Sequence, residues 1–131
     1  MSTTRTRTLS DLASRLFATV EADEEGQAVL HYLDRAFWFR VEGEEFCVNV
    51  QEGGVTVTEG GPASEDLVAD VTIVEAPRDM AQMLLSGAML PTEFVFSGRV
   101  YMSSMGAAMA DNHAFLRLVR RAQELLPRIS T

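Results

Sequence analysis

The chain has 131 residues and a formal net charge of −8, with 47% apolar and 23% charged residues. This length and composition predict one globular domain that buries roughly two thirds of its unfolded surface. An acidic chain repels phosphate backbones and anionic bilayers, which argues against nucleic-acid binding and stable membrane insertion. Cys47 is the only cysteine and no apolar signal segment is visible, so we expect a reducing, cytoplasmic location.

Two helices are predicted near the start. Residues 1–8 read as a polar, disordered tail, and residues 9–131 as a single domain. Apolar residues recur at spacings of three and four over residues 9–22, which predicts an amphipathic helix. A second helix is predicted over residues 23–33, where acids near the start suit the positive end of the helix dipole.

The hydrophobic period then changes to two. Residues 37–41, 46–50 and 55–58 alternate apolar and polar side chains, with glycines at the turns between them. This pattern predicts an antiparallel meander with one dry face. Residues 69–75 read as a fourth strand.

The second half predicts three more helices and one strand. Proline suits a first helical turn, which favours helices starting at Pro77 and at Pro91. Residues 99–103 alternate as a fifth strand, and residues 105–126 form a long amphipathic helix. The fold class is therefore α+β, a five-stranded mainly antiparallel sheet with one face covered by helices.

Four segments of the chain resemble the sterol carrier protein 2 family. They are the hairpin FRVEGEEFCVNVQEGGVTV, the strand and helix ADVTIVEAPRDMAQMLLSG, the segment LPTEFVFSGRVYMSS, and MGAAMA at the start of the last helix. The resemblance implies a stand-alone domain of the bacterial type. It also implies an apolar tunnel between the sheet and the helices, for a sterol, fatty acid, acyl-CoA or polyketide-like molecule. The polar run Asp111-Asn112-His113 departs from the family pattern, and no peroxisomal Ser-Lys-Leu ending is present.

Methionine and phenylalanine cluster in the second half. Methionine is flexible and polarizable and so suits a wall that fits variable apolar shapes, although ordinary core filling is the alternative. We expect the ligand-binding residues to be Met80, Met83, Leu84, Met89, Phe94, Phe96, Met102, Met105, Met109, Phe115, Arg99 and His113.

Each polar candidate residue has an ordinary structural interpretation beside a functional one. His113 is either a solvent-exposed side chain or an anchor for a ligand head group. Arg99 either grips a carboxylate or phosphate or makes a structural ion pair. Cys47 is interpreted as an inert thiol, and the hairpin-tip carboxylates Glu42, Glu44 and Glu45 as solvated charge.

Three functions stay open from the sequence. The first is a carrier of a hydrophobic or amphipathic small molecule, with no catalytic residue, no metal site and no cofactor. The second is a small enzyme or accessory factor acting on a hydrophobic intermediate through His113, Asp111 and Arg99. The third is a homodimeric interaction module whose cavity is filled by side chains.

A concentration of arginine marks the C-terminal end. Residues 21–75 contain fourteen acids and two arginines, whereas residues 115–131 contain four arginines and one acid. This end is either a helix with a solvated basic face or a surface that contacts a membrane or an acidic partner. Every basic residue besides histidine is arginine, so no lysine Schiff base can form.

Overall fold

The computed structural model describes residues 8–63, 70–103 and 109–126. The helices in these ranges are α1 (Leu9–Ala18), α2 (Glu24–Leu30), α3 (Arg78–Ser86), α4 (Pro91–Val95) and α5 (Met109–Leu125). The strands are β1 (Arg35–Val41), β2 (Glu44–Gln51), β3 (Gly54–Glu59), β4 (Val71–Ala76) and β5 (Tyr101–Met102). The predicted N-terminal tail lies outside the described residues apart from Thr8.

The strands form one mixed sheet in the order β3-β2-β1-β4-β5. Strands β1, β2 and β3 make the antiparallel meander, and β5 pairs antiparallel with β4. Strand β4 runs parallel to β1, with Phe37 opposite Thr72, so the sheet is not antiparallel throughout. Parallel strands are joined by a crossover connection. The alternation of apolar and polar side chains does not show whether a strand pairs parallel or antiparallel with its neighbour. The α+β class with a mainly antiparallel sheet is confirmed.

Aromatic rings fill the space between the sheet and the helices. Phe37 of β1 stacks on Phe115 of α5 with ring centroids 3.8 Å apart, and Phe115 also meets Phe17 of α1 at 5.7 Å. Phe39 and Phe46 stack across β1 and β2 at 4.8 Å. All five side chains are buried, so they form a packed core directly beneath the middle of α5.

The opposite sheet face is also partly covered, contrary to its polar pattern. Cys47 lies on this face, as the alternation predicted, yet it is fully buried and clusters with Ala36. The Asn49 amide donates to the carbonyl of Thr56 at 2.9 Å and to the hydroxyl of Thr58, and its oxygen accepts from Ala63 N–H at 2.8 Å. The chain after β3 therefore folds back over this face and satisfies Asn49 there.

Buried hydrogen bonds fix helix α5 on the sheet. The Arg35 Nε of β1 donates to the Thr72 hydroxyl of β4 at 2.7 Å, and that hydroxyl donates to Asn112 Oδ1 of α5 at 2.8 Å. The Arg35 guanidinium also lies 3.7 Å from the Asp111 carboxylate. The polar run in α5 thus docks the helix, because a buried polar group is costly unless it is paired.

Glu44 anchors the start of helix α1, contrary to its interpretation as solvated charge. Its two carboxylate oxygens accept the backbone N–H of Leu9 at 2.8 Å and of Ser10 at 3.0 Å. Arg78 of α3 donates to the same carboxylate at 3.3 Å. Helix N-termini carry unsatisfied N–H groups that favour an anion, so one side chain ties together β2, α1 and α3. Its neighbour Glu42 is exposed, as predicted.

An ion pair holds α2 against α5. Asp23 caps α2 by accepting from Gly26 N–H at 2.8 Å, and the Arg121 guanidinium donates to both of its oxygens at 2.9 Å. The hydrogen bonds from Arg121 lower the pKa of Asp23 from 3.8 to about 2. The same contacts raise the pKa of Arg121.

Replacing Glu44 by alanine should lower the free energy of unfolding by about 1–2 kcal/mol, because the first N–H groups of α1 lose their acceptor. Urea denaturation followed by circular dichroism measures this difference. Glu42→Ala, at the exposed tip of the same hairpin, is the matched control and should change stability little. Equal effects of the two substitutions would contradict the anchoring role.

Asp23→Asn should destabilise the protein at neutral pH, with a deficit that disappears in acid. Asparagine caps a helix as well as aspartate does, so this variant removes the charge and keeps the cap. Because the folded-state pKa of Asp23 is lowered to about 2, its contribution is complete above the unfolded pKa and is lost as pH falls through the folded one. Thermal melts at a series of pH values should show the two curves starting to converge near the unfolded pKa of 3.8 and meeting as pH falls below the folded pKa of about 2. A deficit independent of pH would contradict the ion-pair explanation.

Candidate functional site

An apolar groove of about 370 Å³ lies between helices α4 and α5. This volume falls within the range of small-molecule sites, which is about 300–1,000 Å³. Leu90, Pro91, Val95 and Phe96 line one side, and Leu116 lies on the other. Phe96 is 83% exposed and Leu90 40% exposed, so large apolar side chains stand open to solvent here. Together they form an exposed apolar patch at the mouth of the groove.

Local sequence builds the α4 wall of this groove. Pro91 occupies the first turn of α4, where its missing N–H costs nothing, and Glu93 accepts from Leu90 N–H at 2.9 Å. The Gln123 amide of α5 donates to the Leu84 carbonyl at 2.9 Å and to the Met89 carbonyl at 2.8 Å. The connection between α3 and α4 is thereby held against α5, which keeps the two groove walls apart at a defined spacing.

Basic side chains form the solvent edge of the groove. His113, Arg117 and Arg120 of α5 all line it. Arg120 pairs with Glu124 at 3.6 Å, whereas neither His113 nor Arg117 makes an ion pair with any residue in the described ranges. The groove therefore combines an apolar interior with positive charge at its rim.

A second, wider depression lies beside the groove, on the other side of His113 and Arg117 of α5. It has a volume of about 670 Å³ and is lined by Tyr32, Met109, Ala110 and Ala114, together with His113 and Arg117. Tyr32 is 63% exposed and Met109 53% exposed. His113 and Arg117 thus stand on a ridge between two apolar depressions.

The predicted ligand-binding residues divide among four places in the described structure. Phe96 and His113 line the groove, Met109 lines the second depression, and Arg99 lies in a separate depression of about 420 Å³ beside Glu75. Met105 lies outside the described residues. The remaining predicted residues pack in the core or against it: Met80, Met83, Leu84, Met89, Phe94, Met102 and Phe115.

The groove also contains residues that the sequence did not suggest. Leu116 was expected only as part of an amphipathic helix, Arg117 and Arg120 only as members of the basic C-terminal end, and Leu90 and Val95 were not singled out. The one available signal was the spacing of His113, Leu116, Arg117 and Arg120, which places them along one edge of a helix. That signal could not say which neighbouring element faces this edge.

The candidate catalytic groups do not assemble. Asp111 turns toward Arg35, His113 is exposed on the ridge, and Arg99 lines a different depression. Residues two apart on a helix point to different faces, in agreement with the separation of Asp111 from His113. The described ranges hold no group of three metal-ligating side chains. Within the same ranges, no helix is long and apolar enough to cross a membrane.

Solved structures of sterol carrier proteins share the fold. The sterol carrier protein domain 2 of Helicoverpa armigera is 18% identical and superposes with a TM-score of 0.67 over 100% of this chain and 99% of its own. A crystal structure of sterol carrier protein 2 is 15% identical, with a TM-score of 0.64 over 88% and 95%. The SCP2 domain of the ubiquinone synthesis protein UbiJ is 15% identical, with a TM-score of 0.62 over 87% and 94%.

These likenesses establish the fold, since identities this low carry no further information on activity. No family model matches the sequence, and no curated protein matches it either. The chain has the fold of these SCP2 domains, with helices on a five-stranded sheet, as the sequence resemblance predicted.

Cys47 should stay unreactive in the native protein. Burial raises the pKa of its thiol from 9.0 to about 12, and the thiolate is the reactive form. A thiol-disulfide exchange reagent such as Ellman's should therefore release no colour from the folded protein at mildly alkaline pH. Unfolding the same sample in urea should release one equivalent. Rapid reaction of the folded protein would contradict the burial of this residue.

Proposed function

We propose that this protein binds and carries a hydrophobic or amphipathic small molecule, whose apolar part lies in the groove between α4 and α5. The observation that carries the proposal is the open apolar groove bordered by Phe96 and Leu116 on an SCP2-like fold. Burying apolar ligand area there contributes about 25 cal/mol per Å², so a long apolar chain needs few polar contacts.

The position of the groove explains how a ligand could enter without unfolding the core. Stacked rings of Phe37 and Phe115 occupy the space beneath the middle of α5. The groove lies on the outer flank of the helix instead, with Phe96 at its mouth. The sequence predicted a deeper tunnel lined by Met80 and its neighbours, and in the structure these side chains pack in the core or against it.

An interaction module is the second candidate function. The five stacked phenylalanines leave little free space at the centre of the sheet face, and Phe96 is largely exposed. Light scattering separates the candidates, because a filled domain that dimerises through this patch would show twice the monomer mass and bind no lipid.

Native mass spectrometry of gently purified protein, with a binding panel of fatty acids, acyl-CoAs and sterols, tests the carrier function. We expect a retained ligand mass or saturable binding of at least one member of the panel. An apo mass together with no binding across the panel would refute the proposal.

A groove-filling substitution locates the site. Val95→Trp should weaken binding of the panel ligand by about tenfold or more, since the indole occupies the space of the apolar chain. Val57→Trp is the matched control, because Val57 is also a half-buried valine in a depression, between α1 and β3. Unchanged binding by Val95→Trp, with a thermal midpoint like the control's, would move the site away from this groove.

A further inference from the structure

Arg117 differs from the other arginines in the described part of α5. Arg121 is held by Asp23 and Arg120 by Glu124, whereas Arg117 makes no ion pair within the described ranges. The whole chain carries a net charge of −8, yet among the described residues no acid pairs with Arg117. An exposed guanidinium beside large exposed apolar side chains therefore offers its charge to something outside the chain.

His113 lies one helical turn from Arg117, on the same ridge. Both residues line the groove and also the second depression. Successive residues of an α-helix are about 100° apart, so Leu116 falls on one side of this ridge and Ala114 on the other. An imidazole donates an N–H in either protonation state, and a guanidinium presents several N–H groups in a planar fork. The ridge is thus a set of hydrogen-bond donors flanked by apolar surface.

We propose that the ligand of the groove is an anionic amphiphile whose carboxylate, sulfate or phosphate group is bound by Arg117 and His113. This inference rests on the proposed binding function and adds the charge of the ligand to it. The apolar chain lies along Phe96 and Leu116, and the anionic group reaches the ridge. The wide depression beside Tyr32 and Met109 leaves room for any bulk attached to the head group.

The chemistry favours an anion over a neutral head group. A guanidinium stays charged at physiological pH and pairs with carboxylate or phosphate through two parallel hydrogen bonds. A neutral alcohol in the same groove would gain the same apolar burial but no charge-assisted hydrogen bond. Affinity for the anion should therefore exceed affinity for the neutral analogue with the same chain.

Decanoate and 1-decanol, which have the same chain length, test this directly by isothermal titration calorimetry at low ionic strength. The native protein should bind decanoate about tenfold more tightly than decanol, the factor expected for one charge-assisted contact at an exposed rim. Arg117→Gln should remove that preference, so that the two probes bind with similar affinity. Arg117→Lys keeps the charge without the planar fork and should retain part of it. Arg15→Gln, at an exposed arginine of α1, is the matched control and should change neither affinity.

The outcomes separate this inference from the function on which it rests. If neither probe binds, and the wider panel of lipids does not bind either, the carrier function fails and the inference falls with it. If both probes bind equally, and Arg117→Gln alters neither, the inference alone is overturned. Sedimentation with phosphatidylglycerol vesicles, without binding of monomeric decanoate, would also overturn it, since Arg117 would then contact a bilayer surface.

Discussion

The docking of helix α5 depends on the buried chain of hydrogen bonds from Arg35 through Thr72 to Asn112. Thr72 and Asn112 are fully buried and Arg35 nearly so, and polar groups in such places are costly unless paired. These hydrogen bonds require that α5 turn Asn112 toward the sheet, which fixes the rotation of the helix about its own axis. The same setting turns Phe115 into the core, where it stacks on Phe37, and leaves Leu116 on the outer flank. The groove is therefore a consequence of how the helix is anchored.

Charge pairing then decides which basic residues stay free. Fourteen acids lie between residues 21 and 75, and among the described ones Asp23 and Glu25 pair with Arg121 of α5. Asp23 reaches Arg121 because it caps α2, and Asp111 reaches Arg35 from within α5 itself. Arg117 is exposed on the ridge between the two depressions, and no acid pairs with it in the described part of the chain. Position, and not composition, distinguishes these arginines.

Much of the secondary structure followed from local pattern, since the period of two and the spacing of three and four are properties of neighbouring residues. The boundaries were less well predicted. Helix α1 was predicted to reach residue 22 but ends at Ala18. Just after this end the Thr19 hydroxyl donates to the Leu16 carbonyl at 2.7 Å, and this bond competes with further helical hydrogen bonding. The candidate site was predicted in part, because Phe96 and His113 line the groove while Phe94 and Phe115 pack in the core. Apolar character alone does not separate a ligand wall from a core.

The sequence by itself determined the α+β class, the meander with its glycine turns, and a resemblance that the shared fold confirmed. These depend on short-range periodicity and on the order of segments along the chain. Only the tertiary structure decided the parallel pairing of β4 with β1, the role of Glu44 at the start of α1, and the exposure of Arg117 beside the groove. Each of these joins elements that are distant in sequence, and the contacts between them exist only once the chain has packed.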